Sequence, residues 1–301
     1  MRIGVMFDVG RPFDEVVGQV AGLAEAGIET AWTSQIFGYD ALTTLAVVGR
    51  EVPGIELGTA VVPTYPRHPV MLAGQALTVQ AATGGRLLLG IGLSHRMVIE
   101  NVFGLSFDHP ARHLREYLSI LVPLLEGEAA SFAGETLKAA TFGPLQIDAP
   151  APPVLVAALG PTMLALAGRM AQGTVTWMTG PRTVADHIVP SITAAAEEAG
   201  RPAPVVAVGL PVCVTSDEDA ARAKAAETFA IYGQLPSYRA MLDREGVAGP
   251  PDIAVVGSAA SVAAQVRQLA DVGVTHFCGA PFGSSEEIKA SIATLAELVG
   301  R

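Results

Sequence analysis

Charge is scarce in this chain. Only 16% of its 301 residues are Asp, Glu, Lys or Arg, and 19 basic against 29 acidic residues leave a formal net charge of −10. Lys and Arg nowhere form a run, so the chain cannot displace many phosphate counterions, and nucleic-acid binding is disfavoured. A small basic pocket can still hide inside an acidic total, which leaves an anionic small ligand open. Two cysteines, Cys213 and Cys278, are too few for a disulfide framework. Both are expected on strands, buried and unpaired. No window of about 18 residues is free of polar or turn-forming residues, so no membrane-spanning helix is expected. The opening MRIGVMFDVGRPFDE meets Gly, Asp and Pro too early for the apolar stretch of a signal peptide. The expected location is therefore the cytoplasm. Disorder is excluded, because 50% of the residues are apolar and mean hydropathy is +0.42, the reverse of its signature.

What is present is alternation. The 32 Gly and 21 Pro imply more turns than a helical bundle uses. Short, mostly apolar runs at residues 3–7, 30–33, 55–62, 87–91, 154–158, 174–178, 205–214 and 274–280 have the character of parallel strands covered on both faces. Helical stretches separate them. Phe13, Val16, Val17, Val20 and Ala24 share one helical face that ends at Gly27. Pro69 marks a helix start and Gly84-Gly85 its stop. Thr183/Asp186, Ser216/Asp219 and Ser284/Glu287 have capping-box spacing. Ile288, Ile292, Leu295 and Val299 make a stripe on the last helix. Eight strand–helix units predict an α/β fold, a (β/α)₈ TIM barrel with insertions, as one domain over residues 1–301. The alternative, an open doubly wound sheet, lacks a G-x-G-x-x-G after the first strand. Two insertions stand out. Residues 126–153 contain an expected hairpin, 129–132 with 136–140, turning at Gly134. Residues 230–256 are expected to be long and irregular, in the manner of a binding loop.

A barrel of this kind carries its site at the C-terminal ends of its strands. The positions there are Asp8, Ser34-Gln35, Val61-Val62-Pro63, Gly92-Leu93-Ser94-His95, Ala158-Leu159-Gly160-Pro161 and Thr179-Gly180-Pro181. Gly160-Pro161-Thr162 opens a helix directly after a strand, where free N–H groups favour an anion. Among the histidines, His95 is the foremost candidate for touching substrate or cofactor, with capping of the following helix as its rival role. His68 is a further mouth candidate. His187, on a polar helix surface, and His276, within the last strand, are expected to be structural. His109 and His113 have the spacing of helical metal ligands, but Pro110 intervenes and no carboxylate–histidine motif joins them, so no metal is expected. No nucleophile elbow and no pair of mouth carboxylates is present. A pocket of small residues, backbone groups and hydroxyls suits a bound cofactor that carries the chemistry.

Residues 57–95, LGTAVVPTYPRHPVMLAGQALTVQAATGGRLLLGIGLSH, resemble the luciferase-like monooxygenase superfamily, in the branch that uses the deazaflavin coenzyme F420. WTSQIFGYDALT (32–43), FGLSFDHPARHLREYL (103–118) and PPVLVAALGPTMLALAGRMAQGTVTWMTGPRT (152–183) resemble the same branch, in order and over most of the chain. The resemblance implies the barrel fold and a cofactor across its mouth. It places Ser34 and Gln35 beside the deazaflavin ring, with Ala60-Val61 as a strand bulge, usually a non-prolyl cis peptide, behind it. Gly92 and His95 match the fourth-strand loop. Ala158, Gly160, Pro161, Thr162 and Gly180 match the contacts to the cofactor's tail. Sugar-phosphate dehydrogenases of this branch carry a histidine base where this chain has Gln35, and an acidic residue near His95. Gln cannot accept a proton at neutral pH, so alcohol oxidation by that route does not carry over.

The function these features imply is a coenzyme F420-dependent oxidoreductase that exchanges a hydride with a small organic substrate. His95 is its expected proton donor or substrate contact, and Gln35 its neutral hydrogen-bonding partner. The alternatives are an FMN-dependent monooxygenase of the same superfamily and a non-catalytic flavin or deazaflavin carrier. A homodimer is implied by the resemblance, and by helices apolar beyond one face.

Overall fold

Val-, Ile- and Leu-rich runs make the strands, and the amphipathic stretches between them return as helices. The structure, a computed structural model, describes residues 1–300. The first half runs β1 (Arg2–Met6), α1 (Phe13–Glu25), β2 (Thr30–Thr33), α2 (Ala41–Glu51), β3 (Glu56–Thr59), β4 (Val62–Pro63), α3 (Pro69–Thr83) and β5 (Leu87–Gly92). Next come α4 (Arg96–Asn101), α5 (Pro110–Leu125), the hairpin β6 (Ser131–Ala133) and β7 (Lys138–Ala140), and β8 (Val154–Val156). After them follow α6 (Pro161–Met170), β9 (Gly173–Trp177), α7 (Pro181–Thr183), one wide π turn, α8 (Val189–Glu198) and β10 (Val205–Val214). The chain ends with α9 (Glu218–Thr228), α10 (Pro236–Glu245), α11 (Pro250–Ile253), β11 (Val255–Gly257), α12 (Ala259–Asp271), β12 (His276–Pro281) and α13 (Ser285–Ala296).

Eight parallel strands close on themselves in the order β1-β2-β3-β5-β8-β9-β10-β12, with β12 returning to β1. The fold is the expected (β/α)₈ barrel. The third strand is split: the Ala60–Val61 peptide is cis, as the resemblance implied, and β4 resumes beyond it. Both cysteines lie on strands, β10 and β12, buried and free.

Local signals fixed several helix ends. Gly84 takes a left-handed φ of 66° at the end of α3, a conformation glycine adopts without a Cβ penalty. Ser284 and Glu287 form a reciprocal capping box on α13. The other two expected boxes do not form. Asp217, not Ser216, caps α9 by accepting from the Ala220 N–H at 3.0 Å. Thr183 sits inside α7, where its hydroxyl donates to the Met241 carbonyl. The segment 230–256 is not irregular. It folds as a short 3₁₀ turn, α10, α11 and β11, which adds to the end of β10. Its prolines, Pro236 and Pro250, open helices instead of breaking structure.

The apolar core has two main parts, beside a small cluster of Cys213, Ala221, Ala225, Ala254, Val256 and Phe282. One part fills the space between strands and helices. The other plugs the barrel interior with Trp32, Leu88, Leu155, Val175, Ala207 and Cys278. Trp32 is fully buried, and the barrel closes around it only because its neighbours are glycine. A Cβ on Gly58 would stand 2.2 Å from the Trp32 ring, and one on Gly4 2.5 Å from its Nε1. This plug is the floor on which the functional site rests.

Candidate active site

Above the plug, at the C-terminal ends of the strands, opens a cavity of about 1300 Å³. Of the expected site residues it gathers Ser34, Gln35, Ala60, Val61, Gly92, His95 and Gly160 into one wall. Asp8, Ala158, Pro161, Thr162 and Gly180 stand outside that lining. Asp8 turns outward to cap its own loop at Gly10 and pair with Arg11. Ala158 is fully buried in the packing behind the wall. Gly180 is backed by Glu245, whose carboxylate accepts from the Arg182 and Thr183 N–H groups.

The loop after β2 is organised by hydrogen bonds. Ser34 Oγ donates to the Ala60 carbonyl at 2.6 Å, and the Gln35 N–H donates to the Val61 carbonyl, pinning both to the cis peptide. The Gln35 side chain is already committed. Its Oε1 accepts from the Ala41 N–H at 2.8 Å and from Arg67 at 3.3 Å, while its Nε2 donates to the Ile36 carbonyl. Gln35 therefore shapes the loop and steers Arg67. Arg67 is also paired with Asp40. Burial works against the Asp40 charge, but bonds from Thr43 and Arg67 outweigh it and hold the carboxyl below its usual range.

His95 occupies the position before α4, yet among the described residues its ring makes no capping bond. The imidazole lies instead against Tyr238 of α10, ring centres 5.7 Å apart, on the cavity wall. Burial pushes its pKa below the ordinary 6.5, so the neutral ring dominates at pH 7.

Among the other histidines, His187 and His276 take the structural roles expected of them, while His68 and the surroundings of His187 differ from expectation. His68 is no mouth residue: its Nδ1 caps α3 by accepting from the Val70 N–H, and its Nε2 meets the Lys138 carbonyl at 3.0 Å. His187 is buried, not on a polar surface, and its Nε2 meets the Leu159 carbonyl at 2.8 Å. His113 stacks on Tyr65 at 3.9 Å and bonds Thr64, and burial pushes its pKa down to about 4 against the pull of Glu116. His109 takes a left-handed φ of 51° at the start of α5. His276, at the start of β12, bonds its neighbour Thr275 just before the strand.

Sequence reasoning missed Arg67, Trp177, Tyr232 and Tyr238, all of which line the cavity. The length of the 230–256 insertion was the one available signal for the two tyrosines. A flat aromatic group with a polar tail fits this wall. The floor is apolar, and the Thr176 hydroxyl and Trp177 indole N–H lack partners among the described residues. At the start of α6, Gly160 offers no side chain to cap the helix's first N–H groups.

The family model for luciferase-like monooxygenases matches residues 1–301, and the chain belongs to that family. It is 26% identical, over 95% of its own length and 96% of the relative's, to a 5,10-methylenetetrahydromethanopterin reductase of Methanolobus tindarius. It is 33% identical to a putative coenzyme F420-dependent oxidoreductase of Mycobacterium tuberculosis, over 54% of this chain and 51% of that one. In fold it superposes on the coenzyme F420-dependent tetrahydromethanopterin reductase of Methanopyrus kandleri with a TM-score of 0.83. That match covers 99% of this chain and 98% of the other at 23% identity.

Proposed function

We propose that this protein is a coenzyme F420-dependent oxidoreductase that exchanges a hydride with a small organic substrate. The observation that carries the reading is the character of the wall. It is deep, largely apolar and built of groups that orient a ligand and move one proton, but it holds no paired carboxylates and no activated nucleophile among the described residues. Such a site needs its redox chemistry from a bound group. The name of the Mycobacterium tuberculosis relative, a coenzyme F420-dependent oxidoreductase, supports a deazaflavin in that role. When bound, F420 would supply or accept the hydride.

Ser34, Ala60, Val61 and Gly92 would border the ring, with Thr176 and Trp177 offering it unpartnered polar atoms. The start of α6 would meet the anionic tail through backbone N–H groups. His95 exchanges a proton with the substrate oxygen at an imidazole nitrogen. Being neutral at pH 7, it is ready to accept that proton and returns it in the reverse direction. The Tyr238 hydroxyl, whose pKa burial raises, stays protonated and serves as a hydrogen-bond donor. The apolar floor and the α10 wall exclude water.

The test is titration of the purified protein with F420 and FMN side by side. Micromolar or tighter F420 binding with weaker FMN binding supports the reading, and the reverse order replaces it with an FMN-dependent enzyme. F420 binding without reduction or oxidation of any acceptor would support a carrier instead.

A further inference from the structure

We propose that the substrate of this site is an uncharged molecule with an apolar body and a single polar carbon–heteroatom group, admitted over an apolar rim. The proposal rests on the hydride-transfer reading above.

The cavity, at about 1300 Å³, exceeds the roughly 300–1,000 Å³ that encloses one drug-sized ligand. A second molecule therefore fits beside a cofactor. The charged groups on the wall are already neutralised: Arg67 is paired with Asp40, and Arg96 with Glu100 while it lies over the Phe107 ring. Among the described residues no lysine lines the cavity, and burial disfavours the cationic form of His95. An anionic substrate would compete with Asp40 and Glu100 for the two guanidinium groups, whereas a neutral one leaves both pairs intact. A cationic one would find a single lining carboxylate, Glu100, already paired with Arg96.

The rim points the same way. Ile36 and Phe37, on the loop after β2, are 62% and 69% exposed; Met97 and Phe103, on and just after α4, are 56% and 41% exposed. All four line the cavity mouth. Apolar side chains gathered at an opening while left in water mark a binding groove. They lead inward to His95 and Tyr238, which can bond one carbonyl or hydroxyl oxygen. A small apolar ligand thus covers the rim and presents its polar group at the wall.

The experiment is calorimetric titration of 2-acetonaphthone and of 6-acetyl-2-naphthoate, the same ketone with one carboxylate added. Both are titrated into the protein alone and with saturating F420. The neutral ketone is expected to bind at least tenfold more tightly in both states. Phe103→Ser, at an exposed position, should weaken the ketone at least threefold with oligomeric state unchanged by sedimentation. Met97→Lys, which adds an unpaired cation to the rim, should narrow the ketone–carboxylate gap at least threefold. Equal or tighter binding of the carboxylate by the unaltered protein overturns the proposal, as does binding of neither compound. If Phe103→Ser changes the oligomeric state and leaves ketone affinity intact, the rim is an interface between copies and the proposal also falls. F420 binding is followed separately by its own fluorescence. Its absence together with a tenfold ketone preference supports the cavity's selectivity and overturns only the hydride-transfer reading.

Discussion

Glu116 holds the β6–β7 hairpin onto α5, and replacing it with Gln tests how much one buried carboxylate can do. Its side chain is only 4% exposed. Oε1 accepts from the Glu135 N–H at 3.0 Å; Oε2 accepts from the Thr136 N–H, the Thr136 hydroxyl and the Leu137 N–H at 2.8, 2.6 and 2.9 Å. The turn comes so close that a Cβ on Gly134 would stand 2.4 Å from the carboxyl carbon. Burial by itself raises the pKa, but the Thr136 bonds and the two further N–H groups win, and it falls from the ordinary 4.5 to about 2. Each tenfold change in proton affinity is worth about 1.4 kcal/mol, so the charged form gains about 3 kcal/mol from this nest. In Glu116→Gln the carbonyl can keep one set of donors, while the new NH₂ faces another N–H. Hydrogen exchange at Glu135, Thr136 and Leu137 should therefore speed up about a hundredfold at pH 7 through easier local opening. The sign of the pH dependence follows from the lowered pKa. The contribution is complete above pH 4.5 and is lost as pH falls towards 2, so the difference between wild type and variant shrinks over that range. Glu135→Gln removes only an exposed partner of Arg112 and should change exchange by less than threefold. An equally small change in Glu116→Gln would refute the reasoning.

Three further outcomes are expected. His95→Gln should cost roughly 10²–10⁴-fold in turnover with cofactor affinity little changed, and the acid limb of the pH–rate profile, lying below 6.5, should vanish with it; unchanged turnover leaves His95 a bystander. Gly58→Ala forces a Cβ into the Trp32 ring and should destabilise the barrel by about 3 kcal/mol or more, read by thermal denaturation, with an unchanged midpoint contradicting the tight plug. Cys213 and Cys278 are buried, and burial pushes both thiols up, Cys213 to about 11 and Cys278 well above its usual value. A thiol reagent at pH 8 should label neither until the protein is unfolded.

By itself the sequence determined the strand–helix alternation and hence the barrel, because strand and helix periodicities and their Gly, Pro and Ser punctuation are local properties. The same locality let Gly84 and the Ser284–Glu287 pair mark helix ends correctly. The family resemblance located the Ala60–Val61 bulge, and both cysteines were read onto strands. Only the tertiary structure separated the histidines. His68 and His95 both stand just before helices, yet one caps its helix and reaches Lys138 while the other turns to Tyr238. Nothing local distinguishes them, because the partner that settles each lies on a distant element. Gln35, expected as a neutral hydrogen-bonding partner, does line the cavity, but the fold also ties its amide to Ala41, Ile36 and Arg67, contacts that no local pattern announces. His187 was read on a polar face, but the turn of the chain there buries it against the Leu159 carbonyl. Closing the ring also brought Tyr232 and Tyr238 from the 230–256 insertion to the cavity beside the loops after β2 and β5. Burial then set the protonation of His95, a quantity that depends on the water removed from around a ring and so on the whole fold.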